Sequence, residues 1–319
     1  MKKILCILLS CLVVFMTGCG GHNKNIRFGA ADIGGVYYEF ASAFTQFANK
    51  DIEGYTFETK TTAGSVANLR LISDGYIELA IVQADLLSDA YNGTGAFSDK
   101  KYQKGYKAVA SLYTEGCQIV VRKDSGIGNI DDLINKKVSI GAEESGTEKN
   151  AEQILKMSGI TDELVTKVNM DYTEAARELE AGEIDAFFCT AGTGTDVIEQ
   201  LAKQCDIDLI SLDDKCVDKM MSAYKLCEKY IIPAGTYTGI DHDVVTIGVK
   251  AVLIAEASLS DDLVESVAKT LFNHISDFHY ATSLDIMLNP EDAVKGVDIP
   301  FHKGAASYYS RHGINVLSE

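Results

Sequence analysis

The chain has 319 residues, 29 Lys and Arg against 46 Asp and Glu, and a formal net charge of −17. So acidic a surface repels nucleic acid and anionic membrane, although a local pocket can oppose the global field and still hold an anion. The length is large for a single core and suits two lobes.

The N-terminus sets an expectation about location. Met1-Lys2-Lys3 is followed by the apolar run ILCILLSCLVVFM and then by TGCG. A basic start, a short apolar stretch and small residues make a secretory signal that is too short and wrongly flanked for a membrane span. MTGC resembles the lipobox of bacterial lipoproteins, with Met16 an unusual first residue for it. The expectation is a signal peptide over 1–18, lipidation of Cys19 and an extracytoplasmic, membrane-anchored protein; the alternative is cleavage elsewhere and a free soluble protein. Loss of Lys2 and Lys3 with the signal takes the charge from −17 to −19. Residues 19–25 read as a polar tether. No later apolar run is long enough to span a bilayer, so a transport step across the membrane must belong to a partner.

The body then alternates. IRFGA is a short strand, and YYEFASAFTQFAN carries apolar residues at helical spacing. YTFETKTT alternates like a strand, SVANLRLISDGY is a helix, and IELAIVQAD is an apolar strand. AVASLY and CQIVVRK read as strands, NIDDLIN as a short helix, KVSIGA as a strand, and GTEKNAEQILKMSG as a helix closed by Gly159. EAARELEAGE is a helix and IDAFFCTAG a strand; TIGVKAVLIAEAS and LVESVAKTLFNHI add a last strand and helix. The strand-helix grammar appears twice. It predicts an α/β fold of two similar open-sheet lobes, 26–115 with 247–319 and 116–246, joined by a two-strand hinge near 113–122 and 238–252. A cleft lies between such lobes, and in open α/β sheets ligands bind beyond the carboxyl ends of the strands.

Five turns would face that cleft. Gly34 and Gly35 precede the first helix, where free N–H groups and a partial positive charge favour an anion. Gly64-Ser65 opens the next helix, with Asn68 one turn on; Ser65 can cap the helix or donate to a ligand. Gln83 and Asp85 end an apolar strand. Ser145, Gly146 and Thr147 start a helix in the second lobe, and Thr190, Ala191 and Gly192 end an interior strand. Each turn is compatible with a plain cap or tight turn; together they outline a two-sided cradle. No nucleophile, base and orienting group come together, and there is no GxSxG, HExxH or P-loop. His22, His242, His274, His279, His302 and His312 are scattered. No Cys forms a CxxC or a Cys/His metal pattern. Neither catalysis nor a cofactor or metal is expected. Behind Cys19, the odd set Cys117, Cys189, Cys205, Cys216 and Cys227 reads as buried free thiols, with one disulfide within the eleven-residue repeat 205, 216, 227 as the alternative.

The segments GGVYYEFASAF, AGSVANLRLISDGYIELAIVQAD, GNIDDLINKKVSIGAEESGTEKNAEQIL, AGEIDAFFCTAGTGTDVI, YIIPAGTYTG and IPFHKGAASYYSRHG resemble the TAXI family of solute receptors, the binding proteins of TRAP-type transporters. The resemblance runs from about Ile26 to Gly313. It implies a periplasmic binding protein-like II fold closing on a small organic anion, often a carboxylate such as glutamate, and a separate integral membrane permease as partner. The ligand contacts it implies are Gly34, Gly35, Tyr37, Ser65, Asn68, Gln83, Ser145, Gly146, Thr147, Thr190 and Gly192. Asp32, Glu143 and Glu144 depart from the family pattern. They are either solvated rim charges or partners for an ammonium group on the ligand. A sensory lipoprotein signalling to a membrane kinase or receptor is the alternative use of the same architecture.

Overall fold

The computed structural model describes residues 24–99, 101–282 and 288–318. The signal segment, Cys19 and all of the tether except Lys24 and Asn25 lie outside these residues. The tether ends earlier than its composition suggests: β1 (Lys24–Gly29) already pairs at Lys24, in parallel with β2 (Tyr55–Lys60).

The first half builds on β1. Its partner on the other side is β3 (Leu79–Gln83), again parallel. Between them run α1 (Val36–Asp51) and α2 (Ser65–Ser73). Val36, Phe40, Ala41, Phe44 and Ala48 recur at helical spacing and are the buried face of α1, where Phe40 stacks on Phe278 with centroids 4.5 Å apart. A third helix, α3 (Ala84–Asn92), starts directly at the end of β3. The strand therefore stops at Gln83, and Asp85 belongs to the helix.

The second half repeats the plan. β5 (Lys137–Ser139) lies between β6 (Thr166–Val168) and β7 (Ala186–Ala191), both parallel to it. They are linked by α4 (Gly146–Ser158) and α5 (Tyr172–Ala181). The neighbour orders β2-β1-β3 and β6-β5-β7 are the same, with the first strand of each set in the middle. Beyond β7 come α6 (Asp196–Gln204), β8 (Ile207–Leu209), α7 (Asp214–Ala223) and β9 (Glu228–Ile232).

Two long strands join the halves. AVASLY and CQIVVRK are one strand, β4 (Tyr106–Arg122), and its partner is β10 (Val244–Glu256). β4 pairs antiparallel with β10 from Tyr106 to Gly116 and with β7 from Gly116 to Val121. β10 pairs with β3 along Ala251–Ala255 and with β9 along Val244–Gly248. Both strands thus leave one lobe and enter the other, which makes them the hinge; the second crossing begins at Val244, not near 238. Among the described residues the sheet order is β2-β1-β3-β10-β4-β7-β5-β6, with β8 on β4 and β9 on β10. Then α8 (Asp261–Asn273), α9 (Ile275–Ala281) and α10 (Lys303–Arg311) return to the first lobe, where Tyr309 donates its hydroxyl to the Val109 carbonyl at 2.9 Å. One core cluster holds Phe28, Phe40, Phe44 and Leu79, and a second holds Ile119, Val138, Ile154 and Phe188. Cys117, Cys189, Cys205, Cys216 and Cys227 are all free thiols, so the eleven-residue repeat is not a disulfide.

Candidate functional site

The lobes meet over a cavity of about 30 Å³. Its walls come from the starts of five helices, α1, α2, α3, α4 and α5, from the end of β7 and from the hinge. From the first lobe Asp32, Gly35, Tyr37, Ser65 and Gln83 line it; from the second, Ser145, Gly146, Thr147, Tyr172 and Thr190. Glu115 on β4 forms part of the wall between them.

The helix starts differ between the lobes. Gly35 and Gly64 are the N-caps of α1 and α2, and neither makes a side-chain capping bond; nor does Gln83 at the start of α3. Gly64 has φ +119°, a conformation L-residues rarely adopt, so glycine is needed there. These helices therefore present first-turn N–H groups and a partial positive charge without a side-chain acceptor of their own. In the second lobe Ser145 accepts from the Glu148 N–H at 2.9 Å, and Asp171 accepts from the Glu174 N–H at 2.7 Å. Both of those termini carry an internal cap.

Polar side chains in the cavity fall into two groups. Ser65 accepts from the Gln83 N–H at 3.1 Å, leaving its own hydroxyl proton to donate elsewhere. Gln83 is 2 % exposed and its Oε1 has no partner. The hydroxyl of Thr190 is likewise buried and unpartnered. Thr147 is engaged on its own side: its Oγ1 lies 2.6 Å from the Tyr172 hydroxyl and accepts from the Thr190 N–H at 3.2 Å, while Tyr172 donates to the Thr190 carbonyl at 3.0 Å.

Two carboxyl groups face the same space. Glu115 is 2 % exposed, and Tyr37 donates to its Oε2 at 2.6 Å. Burial pushes its pKa up to about 8, opposed by the hydrogen bonds from Tyr37 and Gln83. Asp32 is pushed up to about 6, by burial and then by the Asp171 charge. None of the lining residues is Lys, Arg or His.

Other residues singled out in the sequence lie elsewhere. Asn68 is fully buried outside the cavity lining, and its amide donates to the carbonyls of Ala30 at 2.7 Å and Ile81 at 2.9 Å; it ties the end of β1 to the middle of β3. Gly34 is outside the lining and would bring a Cβ within 3.2 Å of Thr173 in the opposite lobe. The Gly192 carbonyl accepts from Thr195. Glu143 is exposed. Glu144 stands on the rim, and its carboxylate is held by Arg70 across the cleft, Nε at 3.0 Å and Nη2 at 2.6 Å. The Ala67 N–H donates to the Glu144 carbonyl at 3.0 Å. Glu144 has φ +63°, unusual for a residue with a side chain. Its carboxylate is thus paired within the chain.

Two polar side chains of the cavity, Glu115 and Tyr172, are not among the candidates read from the sequence. Glu115 carried one signal, a lone acid between two apolar strand segments; Tyr172 carried none. A larger, open groove of about 1030 Å³ runs along the outer face of the hinge beside Tyr113, Tyr230 and Lys250. Its charges are partly self-paired, Lys295 with Asp292 at 2.7 Å, and none of the candidate residues lines it, so the interlobe cavity is the better candidate.

Two α/β lobes joined by two long strands, with a cavity between them, are the architecture of the type II periplasmic binding proteins. The chain belongs to the NMT1-like family, whose model matches residues 28–313. Solved structures bear out the fold. The periplasmic binding protein BugD superposes with a TM-score of 0.55 at 12% identity, covering 82% of this chain and 87% of that one. A putative L-cystine ABC transporter protein from Listeria monocytogenes gives 0.50 at 15%, covering 80% and 91%. An ancestral arginine-binding protein bound to arginine gives 0.50 at 17%, covering 82% and 97%.

Proposed function

We propose that this chain is an extracytoplasmic solute receptor of the TAXI type. It takes a small carboxylate-bearing solute between its lobes and delivers it to a TRAP-type membrane permease. The observation that carries the reading is the interlobe cavity, where uncapped helix starts converge beside the buried, unpartnered Gln83 Oε1. N–H groups of this kind suit a carboxylate. The cavity is too small to admit a solute of several heavy atoms without separation of the lobes. Binding and hinge motion are therefore coupled, and the closed form is what a permease would recognise.

The lobe boundaries, 115/116 and 246/247, fall inside β4 and β10, where bending is carried by the crossing strands. Lipidation of Cys19 would tether the receptor beside its permease; no helix of the described residues is long and apolar enough to cross a membrane. Among the described residues the cavity brings together no nucleophile with a base and an orienting group, and this supports binding over turnover. The test is a thermal-shift screen against organic acids and amino acids, since a ligand of the native state raises the midpoint. A binder should lose affinity when Ser65→Ala is combined with Thr147→Ala; unchanged affinity in the folded double variant would reject this site.

A further inference from the structure

The cavity has two chemical poles. One is the set of N–H donors at the starts of α1, α2 and α4. The other is a set of acceptors on the hinge side: the Glu115 carboxyl, whose Oε2 already accepts from Tyr37, and the unpartnered Oε1 of Gln83. The two side chains are brought together because β10 lies between β3 and β4, with Ala251 opposite Gln83 and Val249 opposite Glu115. A carboxylate satisfies the first pole only. A buried acceptor left unmatched is costly, and a buried carboxylate without a cation more so. Among the described residues no Lys, Arg or His lines the cavity to supply that cation.

We propose that Glu115 selects solutes that carry a protonated amino group beside their carboxylate, and that it releases a proton to solvent as that group binds. This rests on the carboxylate-receptor reading above and narrows it to amino acids. The balance is simple. The solute ammonium enters with its charge, the Glu115 O–H bond breaks, the proton leaves to bulk water, and an ammonium–carboxylate pair remains, with Gln83 Oε1 accepting a second N–H. Asp32 is the weaker candidate for the same role, because it sits in the partly exposed loop before α1 while Glu115 is on the hinge floor. The ionisable groups around Glu115 are Tyr37 on α1, Asp85 on α3, Tyr113 and Cys117 on β4, Tyr172 on α5 and Cys189 on β7, with Asp32 across the cavity. None is a base that would hold Glu115 ionised before the solute arrives.

The experiment is calorimetric titration of the purified protein with L-glutamate against glutarate, and with L-alanine against propionate, between pH 6 and 9 in buffers of different ionisation enthalpy. The expected result is an amino acid bound at least 100-fold more tightly than its deaminated analogue. Its Kd should fall as pH rises toward 8, with up to one proton released near neutrality. Glu115→Gln should weaken that amino acid at least 100-fold and abolish the pH dependence; Asp32→Asn should leave the midpoint in place. If Glu115→Gln does not fold, Tyr37→Phe serves instead: loss of its donated bond favours the protonated acid and should move the midpoint upward. Equal or tighter binding of the deaminated acid, a Kd that rises with pH, or an unshifted profile in the variants would overturn the inference while leaving a carboxylate receptor intact. Binding of none of the four acids would count against the carboxylate reading itself.

Discussion

The two lobes repeat one strand order yet finish their helices in opposite ways. In the first lobe α1 and α2 start at Gly35 and Gly64 with no side-chain cap; in the second, α4 and α5 are capped by Ser145 and Asp171. Equivalent positions in the two topologies have therefore been given different work. First-turn N–H groups of α1 and α2 have no side-chain cap, although that of Ala67 donates to the Glu144 carbonyl, and second-lobe N–H groups are partly committed to the lobe's own caps. On the proposed function this is a division of labour, in which the first lobe and the hinge make most of the solute contacts and the second lobe closes over them.

The strongest way to break that comparison is to give the first lobe a cap of its own. Gly35 has φ −108° and ψ 156°, an extended conformation open to any residue, and a Cβ there would have no contact closer than 3.4 Å. Gly35→Asp would place a carboxylate on the α1 terminus, where it competes with the solute for the same N–H groups. Affinity for the screened ligand is expected to drop by about 100-fold or more, roughly the loss of a 2–3 kcal/mol interaction. The unfolding midpoint should hold or rise, because N-caps stabilise helices. Unchanged affinity would show that α1 does not face the solute.

The next effect concerns the buried acids. Glu115 is raised to about 8, and Asp32 and Asp85 to about 6. Their unfolded values lie near about 4. Between those limits the folded chain holds more protons than the unfolded one, so stability falls as pH rises through the window. The ligand-free protein should therefore lose midpoint between pH 5 and 8, by roughly 2–4 °C for each kcal/mol. Glu115→Gln should flatten the upper part of the slope, from about pH 6 to 8. A parallel slope in the variant would mean that Glu115 is not the group titrating there.

Sequence made the glycine turns and both strand-helix repeats legible, because turn chemistry and apolar spacing are local. It did not show Glu115. The residue stands in YTEG, which reads as a break between AVASLY and CQIVVRK; only the passage of β4 from one lobe into the other keeps the strand continuous and buries the acid. Asn68 is the opposite case. Its place one turn after Ser65 suggests a ligand contact, whereas tertiary packing turns its amide inward onto three carbonyls, those of Gly29 and Ala30 at the end of β1 and of Ile81 in the middle of β3. The Arg70–Glu144 pair spans 74 residues of sequence, beyond any local signal.

In the second lobe the matching experiment removes a cap. Ser145→Ala leaves the Glu148 N–H without its side-chain acceptor and should cost about 0.5–2 kcal/mol of stability, read as a lower midpoint in chemical denaturation. Affinity should change far less than in Gly35→Asp. A larger effect on affinity than on stability would place Ser145 in direct contact with the solute and erase the contrast between the lobes.

The smallest effect is at the rim. Arg70 and Glu144 are each about a third exposed, so their bidentate pair is expected to contribute about 0.2–1 kcal/mol to closure, at most about five-fold in Kd. Glu144→Gln should raise the dissociation rate and leave association almost unchanged, and 0.5 M salt should mimic part of that loss by screening the pair. Glu144→Gly separates charge from backbone. It removes the same carboxylate, and it also relieves the positive φ of a non-glycine residue, a cost of about 1 kcal/mol. The folded chain should then be as stable as the parent or more so, while the solute leaves as fast as from Glu144→Gln. If the glycine variant instead holds the solute as well as the parent, the latch is the Ala67–Glu144 backbone bond and not the ion pair.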